Sequence, residues 1–224
     1  LGKEPHVLIR FGMWNEILEL DLPADTELYC MTTAFIEYAK ALAHSALGNV
    51  PQAEAQLEVF LAAKARVPES RLSHNVRGVD LLEVAEAMLR GELTYRKRDY
   101  DNAFGHLRRA VALDDALPYD EPWGWIQPTR HALGALLYEQ GQYAAAEQVF
   151  REDLGLAPGL PRACVHPDNV WALRGLYDCL IAQGKTEESP HIKLRLDLAN
   201  ARADRPILAA CGCAQVAVTQ CCTK

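Results

Sequence analysis

Small residues at fixed intervals constrain this chain more than any other feature. In QPTRHALGALLYEQGQYAAAEQVFREDLGLAP, counted from Gln127, Leu133 and Gly134 fall at places seven and eight of a unit about 34 residues long. Gly141 then falls at place fifteen, Ala146 at twenty, Phe150 at twenty-four and Pro158 at thirty-two. Packing explains the beat. A residue without bulk at place eight lets the first helix of a hairpin approach the second, and Ala at place twenty does the same from the other side. Gly141 supplies the backbone freedom of the tight turn between them. Phe150 is placed to fill the space between hairpins, and Pro158 ends the second helix. A hairpin of this kind leaves an apolar face that only a neighbour can cover, so hairpins must stack.

The same beats recur elsewhere. Counted from Val84, Gly91 takes place eight and Ala103 place twenty, after the turn Arg98-Asp99-Tyr100; Ala110 follows at twenty-seven. Counted from Ala34, Ala41, Gly48 and Ala53 take places eight, fifteen and twenty, and Pro68 closes the unit. Counted from Val170, Gly184 marks the turn, but Tyr177 and Ser189 replace the small residues, which reads as a capping hairpin. In HVLIRFGMWNEILEL, Gly12 takes the turn place and Ile17 place twenty, so the first unit is expected to lack most of its first helix. That would leave Val7, Leu8, Ile9, Phe11, Trp14, Ile17 and Leu18 uncovered unless an upstream segment or a neighbouring chain docks there. The predicted hairpins pair residues 32–48 with 50–65, 81–97 with 100–113, 129–139 with 143–153, and 170–182 with 187–203. The connections 67–78 and 114–128 are unusually long.

The glycine, alanine, phenylalanine and proline places are those of the tetratricopeptide repeat (TPR) signature. The run YDEPWGWIQPTRHALGALLYEQGQYAAAEQVFREDL, with RFGMWNEIL before it and NVWALRGLYDCLIAQGK after it, resembles the C-terminal half of a family of bacterial and fungal TPR-domain proteins without settled activity. Tyr119-Asp120-Glu121-Pro122 followed by Trp125, Pro128 and Arg130 is the most specific part of that resemblance. It implies an all-α fold, a TPR-like stack of antiparallel helical hairpins (an α-solenoid) over residues 1–204, with a Cys-rich tail at 205–224. In TPR arrays the outward places of the first helices line a concave groove. Here those places give Met88, Glu92, Tyr95 and Arg96, then His131, Tyr138 and Glu139, then Trp171, Arg174 and Asp178. A groove so mixed in charge and aromatic content could clamp a peptide, its arginines acting on carboxylates and its rings as anchors. The same residues also suit a solvated helix face.

Composition narrows the function classes. Half of the 224 residues are apolar and the net charge is −7, with charges interspersed, so a nucleic-acid partner is not expected. No apolar stretch approaches the roughly 20 residues of a membrane span, and no secretory signal is visible; a cytoplasmic protein is the resulting expectation. Among seven cysteines, Cys30, Cys164 and Cys179 read as small core residues. Cys211, Cys213, Cys221 and Cys222 are crowded enough to hold Zn²⁺ or Cu(I) as thiolates, to close as disulfides, or to remain inert. Their spacing is not that of a zinc knuckle.

His166, two residues after Cys164, reads as a loop residue before a helix capped by Asp168 or Asn169. The other histidines are dispersed. Carboxylate pairs such as Asp114-Asp115 and Asp120-Glu121 read as solvated loop charge. No nucleophile elbow, Walker loop, dinucleotide fingerprint or His-Glu-x-x-His pattern is present, and no catalytic residue is assigned. The expected function is a non-enzymatic interaction or scaffold module that binds a peptide or protein surface. A self-assembling ring or filament built by end-to-end stacking is the alternative, and a metal-binding protein or metalloenzyme using the tail is the third.

Overall fold

A computed structural model describes residues 3–205 and 207–214. The protein is mostly helical and divides into two compact units, Leu1–Thr129 and Arg130–Lys224.

The first unit opens with two short helices, α1 (Glu4–Arg10) and α2 (Trp14–Leu18). The hairpins α3 (Cys30–Ala46) with α4 (Val50–Ala65), and α5 (Gly78–Arg96) with α6 (Tyr100–Asp115), follow. Each pair packs side by side, α3 also packs on α5, and α1 and α2 both lie against α3. The second unit takes most of α7 (Thr129–Glu139), then α8 (Tyr143–Asp153), a 3₁₀ turn (Arg162–Cys164), α9 (Val170–Ala182) and α10 (Ser189–Asn200). The helices lie close to the predicted hairpins. Those at 129–139, 143–153 and 170–182 keep the predicted ends, while α5 begins three residues earlier and α6 ends two residues later than predicted.

The turn at place fifteen is built the same way in each hairpin. Gly48 (φ 80°), Gly141 (φ 71°) and Gly184 (φ 67°) adopt left-handed backbone, and Arg98 (φ 65°) does so at the corresponding place between α5 and α6. At each turn the following N–H reaches back five residues: Asn49 to the His44 carbonyl, Asp99 to Thr94, Gln142 to Leu137, and Lys185 to Leu180. This reach-back satisfies carbonyls that the helix end would otherwise leave without partners.

Close approach of helices depends on absent side chains. A Cβ at Gly91 of α5 would lie 2.6 Å from the Leu107 side chain of α6. In the second unit the Phe150 ring of α8 lies against Gly134 of α7 and Gly175 of α9, so one buried ring occupies the space that two glycines open.

Three expectations need correction. The opening residues do not form an uncovered apolar end: Ile9, Trp14 and Ile17 are buried, because α1 and α2 fold down on α3. Val7 (50% exposed) and Phe11 (46%) stay largely in solvent. The connection at 67–78 contains a two-stranded hairpin, β1 (Leu72–Ser73) with β2 (Val76–Arg77), and Leu72 lies opposite Arg77. The connection at 114–128 is solvated only in part: Tyr119 and Glu121 are exposed, but Trp125 packs its ring against His6, Phe35 and Tyr38 at centroid distances of 4.8, 6.3 and 5.8 Å. Asp120 is buried within it, and Asp114 accepts from the Thr129 hydroxyl at 3.0 Å where α7 begins.

Candidate functional site

The predicted groove residues separate by unit. On α5, Met88, Glu92 and Tyr95 are buried. Tyr95 stacks edge-on against Tyr100 and Phe104 of α6, and Glu92 is close enough to Tyr38 of α3 to raise its hydroxyl pKa, second to burial itself. These three side chains are therefore part of the packed interior rather than a surface offered to a ligand. Arg96 is half-buried, with its guanidinium 5.7 Å from the Tyr95 ring centroid.

In the second unit His131 is also withdrawn from the surface. Its Nε2 lies 2.9 Å from Oδ2 of Asp153, while His166 Nδ1 lies 2.9 Å from Oδ1 and Asn169 Nδ2 donates to Oδ2 at 2.8 Å. The Asp153 side chain is wholly buried. Burial would raise its pKa, but the charge and hydrogen bonds of His131 and then His166 outweigh it and hold the carboxyl well below the usual carboxylate range. An ionised carboxylate only accepts, so the facing nitrogens must carry the protons: His131 as Nε2–H and His166 as Nδ1–H. The backbone N–H of His166 also donates to the Asp153 carbonyl, at 2.6 Å. Asn169 in turn caps α9 through Ala172 N, at 2.8 Å, as the sequence suggested for Asp168 or Asn169. One carboxylate thus fixes α7, the end of α8, the segment between α8 and α9, and the start of α9.

Glu147 of α8 works the same way. It accepts from Arg151 at 2.8 Å and from Lys185 and Gln183, both at 2.6 Å. Burial raises its pKa, yet these donors, Lys185 first, bring it below the ordinary glutamate value. Arg151 also pairs with both Glu188 oxygens.

Of the remaining predicted residues of this unit, Tyr138, Arg174 and Asp178 come together. Tyr138 at the end of α7 is half-buried, and its ring lies 5.1 Å from that of Tyr143. Its hydroxyl pKa is raised by burial and next by the Asp178 carboxylate of α9, while Arg174 opposes that shift, so the three groups are electrostatic neighbours. Arg174 Nε donates to Asp178 at 2.9 Å, one turn along α9. Burial raises the Asp178 carboxyl against the lowering by Arg174. Trp171, half-buried, lies one turn before Arg174 on the same helix, and Glu139 is exposed beside Tyr138.

At the tail, Cys211 and Cys213 are joined as a disulfide, which leaves neither as a thiolate. Cys221 and Cys222 lie outside the described residues. Ile207 is buried, whereas the neighbouring Leu208 is exposed. Burial pushes the Cys179 thiol up to about 12, as suits an inert core residue. Among the described residues, no group of three or more His, Cys, Asp or Glu is placed to hold a metal ion, and no helix is long and apolar enough to cross a membrane.

Comparison with protein-family models, with curated proteins and with solved structures returns no match.

Among the polar residues whose burial sequence reasoning missed are Asp153, Asp120 and His6. Asp153 ends an amphipathic helix and looks like ordinary surface charge. Asp120 sits in turn-rich text. His6 belongs to no spacing pattern. Only Asp153 carried a readable signal, its position on the buried face three residues after Phe150.

Proposed function

We propose that the protein is a non-catalytic interaction module of TPR-like hairpins, and that its second unit holds a peptide or protein segment on the face formed by Tyr138, Trp171, Arg174 and Asp178, with Glu139 at the edge. The observation that carries this reading is the convergence of α7 and α9 side chains there, half-exposed and electrostatically coupled. Elsewhere in the unit the buried carboxylates Asp153 and Glu147 already hold helices together. Aromatic rings beside a planar guanidinium are the chemistry of interface anchors. They offer large contact area at small entropic cost and a forked donor for carboxylate or carbonyl groups.

The test is selection from a displayed random-peptide library, followed by titration of synthetic versions of the enriched peptides. Replacing Trp171 by Ala together with Arg174→Glu should weaken those peptides at least about tenfold, since anchor truncations of this kind commonly cost more than about 1 kcal/mol each. Thermal stability should change little, because neither side chain is deeply buried. Failure to enrich any peptide would count against the interaction reading itself. Peptides that bind the double variant as tightly as the parent would move the contact surface away from this face.

A further inference from the structure

The first unit carries a half-open pocket of about 230 Å³ between the start of α3, the β1–β2 turn and the connection before α7. It is large enough for a substituted ring, since a cavity of about 150 Å³ already accepts benzene. Its apolar wall includes Phe35, Leu81 and Trp123. Two buried polar side chains face this wall in the same lining: His6, 3% exposed, and Asp120, 6% exposed.

Neither is satisfied by the protein. His6 Nδ1 is buried without a hydrogen-bond partner. Asp120 receives its hydrogen bonds, from Asn75 Nδ2 at 3.4 Å and from Glu121 N at 3.1 Å, on Oδ1 alone; Oδ2 takes none among the described residues. A buried imidazole nitrogen without a partner is costly, and the second Asp120 oxygen remains available as an acceptor. Burial lowers the His6 pKa to about 4, so near neutral pH the ring is uncharged and one nitrogen is an acceptor. Two acceptors beside aromatic rings form a site for a donor-rich cation, because an ammonium group gives three N–H bonds and is attracted to ring faces.

We propose that this cavity binds a small organic ammonium compound whose ring or branched apolar body lies against Phe35, Leu81 and Trp123 while its ammonium group bonds Asp120 Oδ2 and His6. Such an ammonium group can belong to a free amine or to an amino acid. Lys3, exposed in the same lining, would meet the carboxylate of the latter. The site lies wholly within the first unit and does not depend on the peptide face of the second.

Isothermal titration with 2-phenylethylamine, L-phenylalanine and 3-phenylpropionate tests the assignment. At least one of the two ammonium compounds should bind saturably, with a Kd of about 1 mM or tighter, and 3-phenylpropionate should bind at least about tenfold more weakly. Tighter binding of phenylalanine would identify the amino-acid class, and tighter binding of the amine the free-amine class. Asp120→Asn, which keeps the shape and removes the charge, should lower ammonium affinity about tenfold or more. Thr32→Phe, which puts a ring into the cavity from a half-buried position, should abolish it and serves if the first variant does not fold. The proposal is overturned by absence of saturable binding for both ammonium compounds, by equal binding of 3-phenylpropionate, or by affinity unchanged in a folded variant.

Discussion

Arg98 occupies a place that Gly48, Gly141 and Gly184 hold in the other hairpins, with the same left-handed backbone. A side chain in this conformation brings Cβ close to the following carbonyl, at a cost of about 1–2 kcal/mol, which glycine avoids. Glycine also loses more chain entropy on folding, and this offsets part of the gain. Arg98→Gly should therefore stabilise the protein by about 0.5–1 kcal/mol, read as a rise in the denaturant midpoint at unchanged slope. A fall in the midpoint would show that the arginine side chain makes a contact worth more than the turn strain.

Between elements, the decisive quantity is how closely two helix backbones approach. Phe150 lies against Gly134 and Gly175 at once, and a Cβ added at Gly134 would come 2.5 Å from the ring. Alanine is favoured over glycine in a helix by about 1 kcal/mol, but a buried ring cannot yield without overpacking, which costs about 1–3 kcal/mol. Gly134→Ala should accordingly destabilise the protein by about 1–2 kcal/mol net. Adding Phe150→Leu to Gly134→Ala should cost less than the sum of the two single changes, because the smaller side chain makes room for the methyl group. Strict additivity in that double-mutant cycle would mean the contact does not limit the approach of α7 to α8. Asp153 ties the same elements by charge rather than shape, joining His131, His166 and Asn169 around one buried carboxylate.

For the whole molecule, burial of titratable groups sets how stability responds to acid. His6 falls from 6.5 to about 4 on folding, so between those values the unfolded chain binds a proton that the folded chain refuses. Its contribution is complete above about pH 6.5 and is lost as pH falls toward 4, a difference of about 3 kcal/mol. His44, lowered by burial, and His106, lowered by burial and then by Arg90 and Arg109, act in the same direction. Asp153 has its folded pKa depressed, so its contribution is present above the ordinary aspartate value and is lost only below about pH 4. Urea denaturation from pH 7 to 4 should show stability falling with pH, and His6→Phe should remove most of the slope between 6.5 and 4. An unchanged slope in that variant would exclude a buried neutral His6.

The spacing of glycine, alanine and proline by itself determined the helical hairpins and their turns, because those places are local requirements: a left-handed residue at a turn, a small one where helices touch. The resemblance to the repeat marked Tyr138, Trp171, Arg174 and Asp178 as outward, and the fold makes Tyr138, Arg174 and Asp178 electrostatic neighbours. Burial could not be read this way. Met88, Glu92, Tyr95 and His131 occupy outward places in the repeat but are enclosed. The connection carrying Asp120 and Trp125 reads as polar loop, yet these two side chains become part of the first unit's interior. Only tertiary packing decides such cases, because whether a side chain meets solvent depends on which distant segment covers it. The partnerless nitrogen of His6 and the open oxygen of Asp120 come from residues more than a hundred positions apart, and only the folded chain sets them in the lining of one cavity.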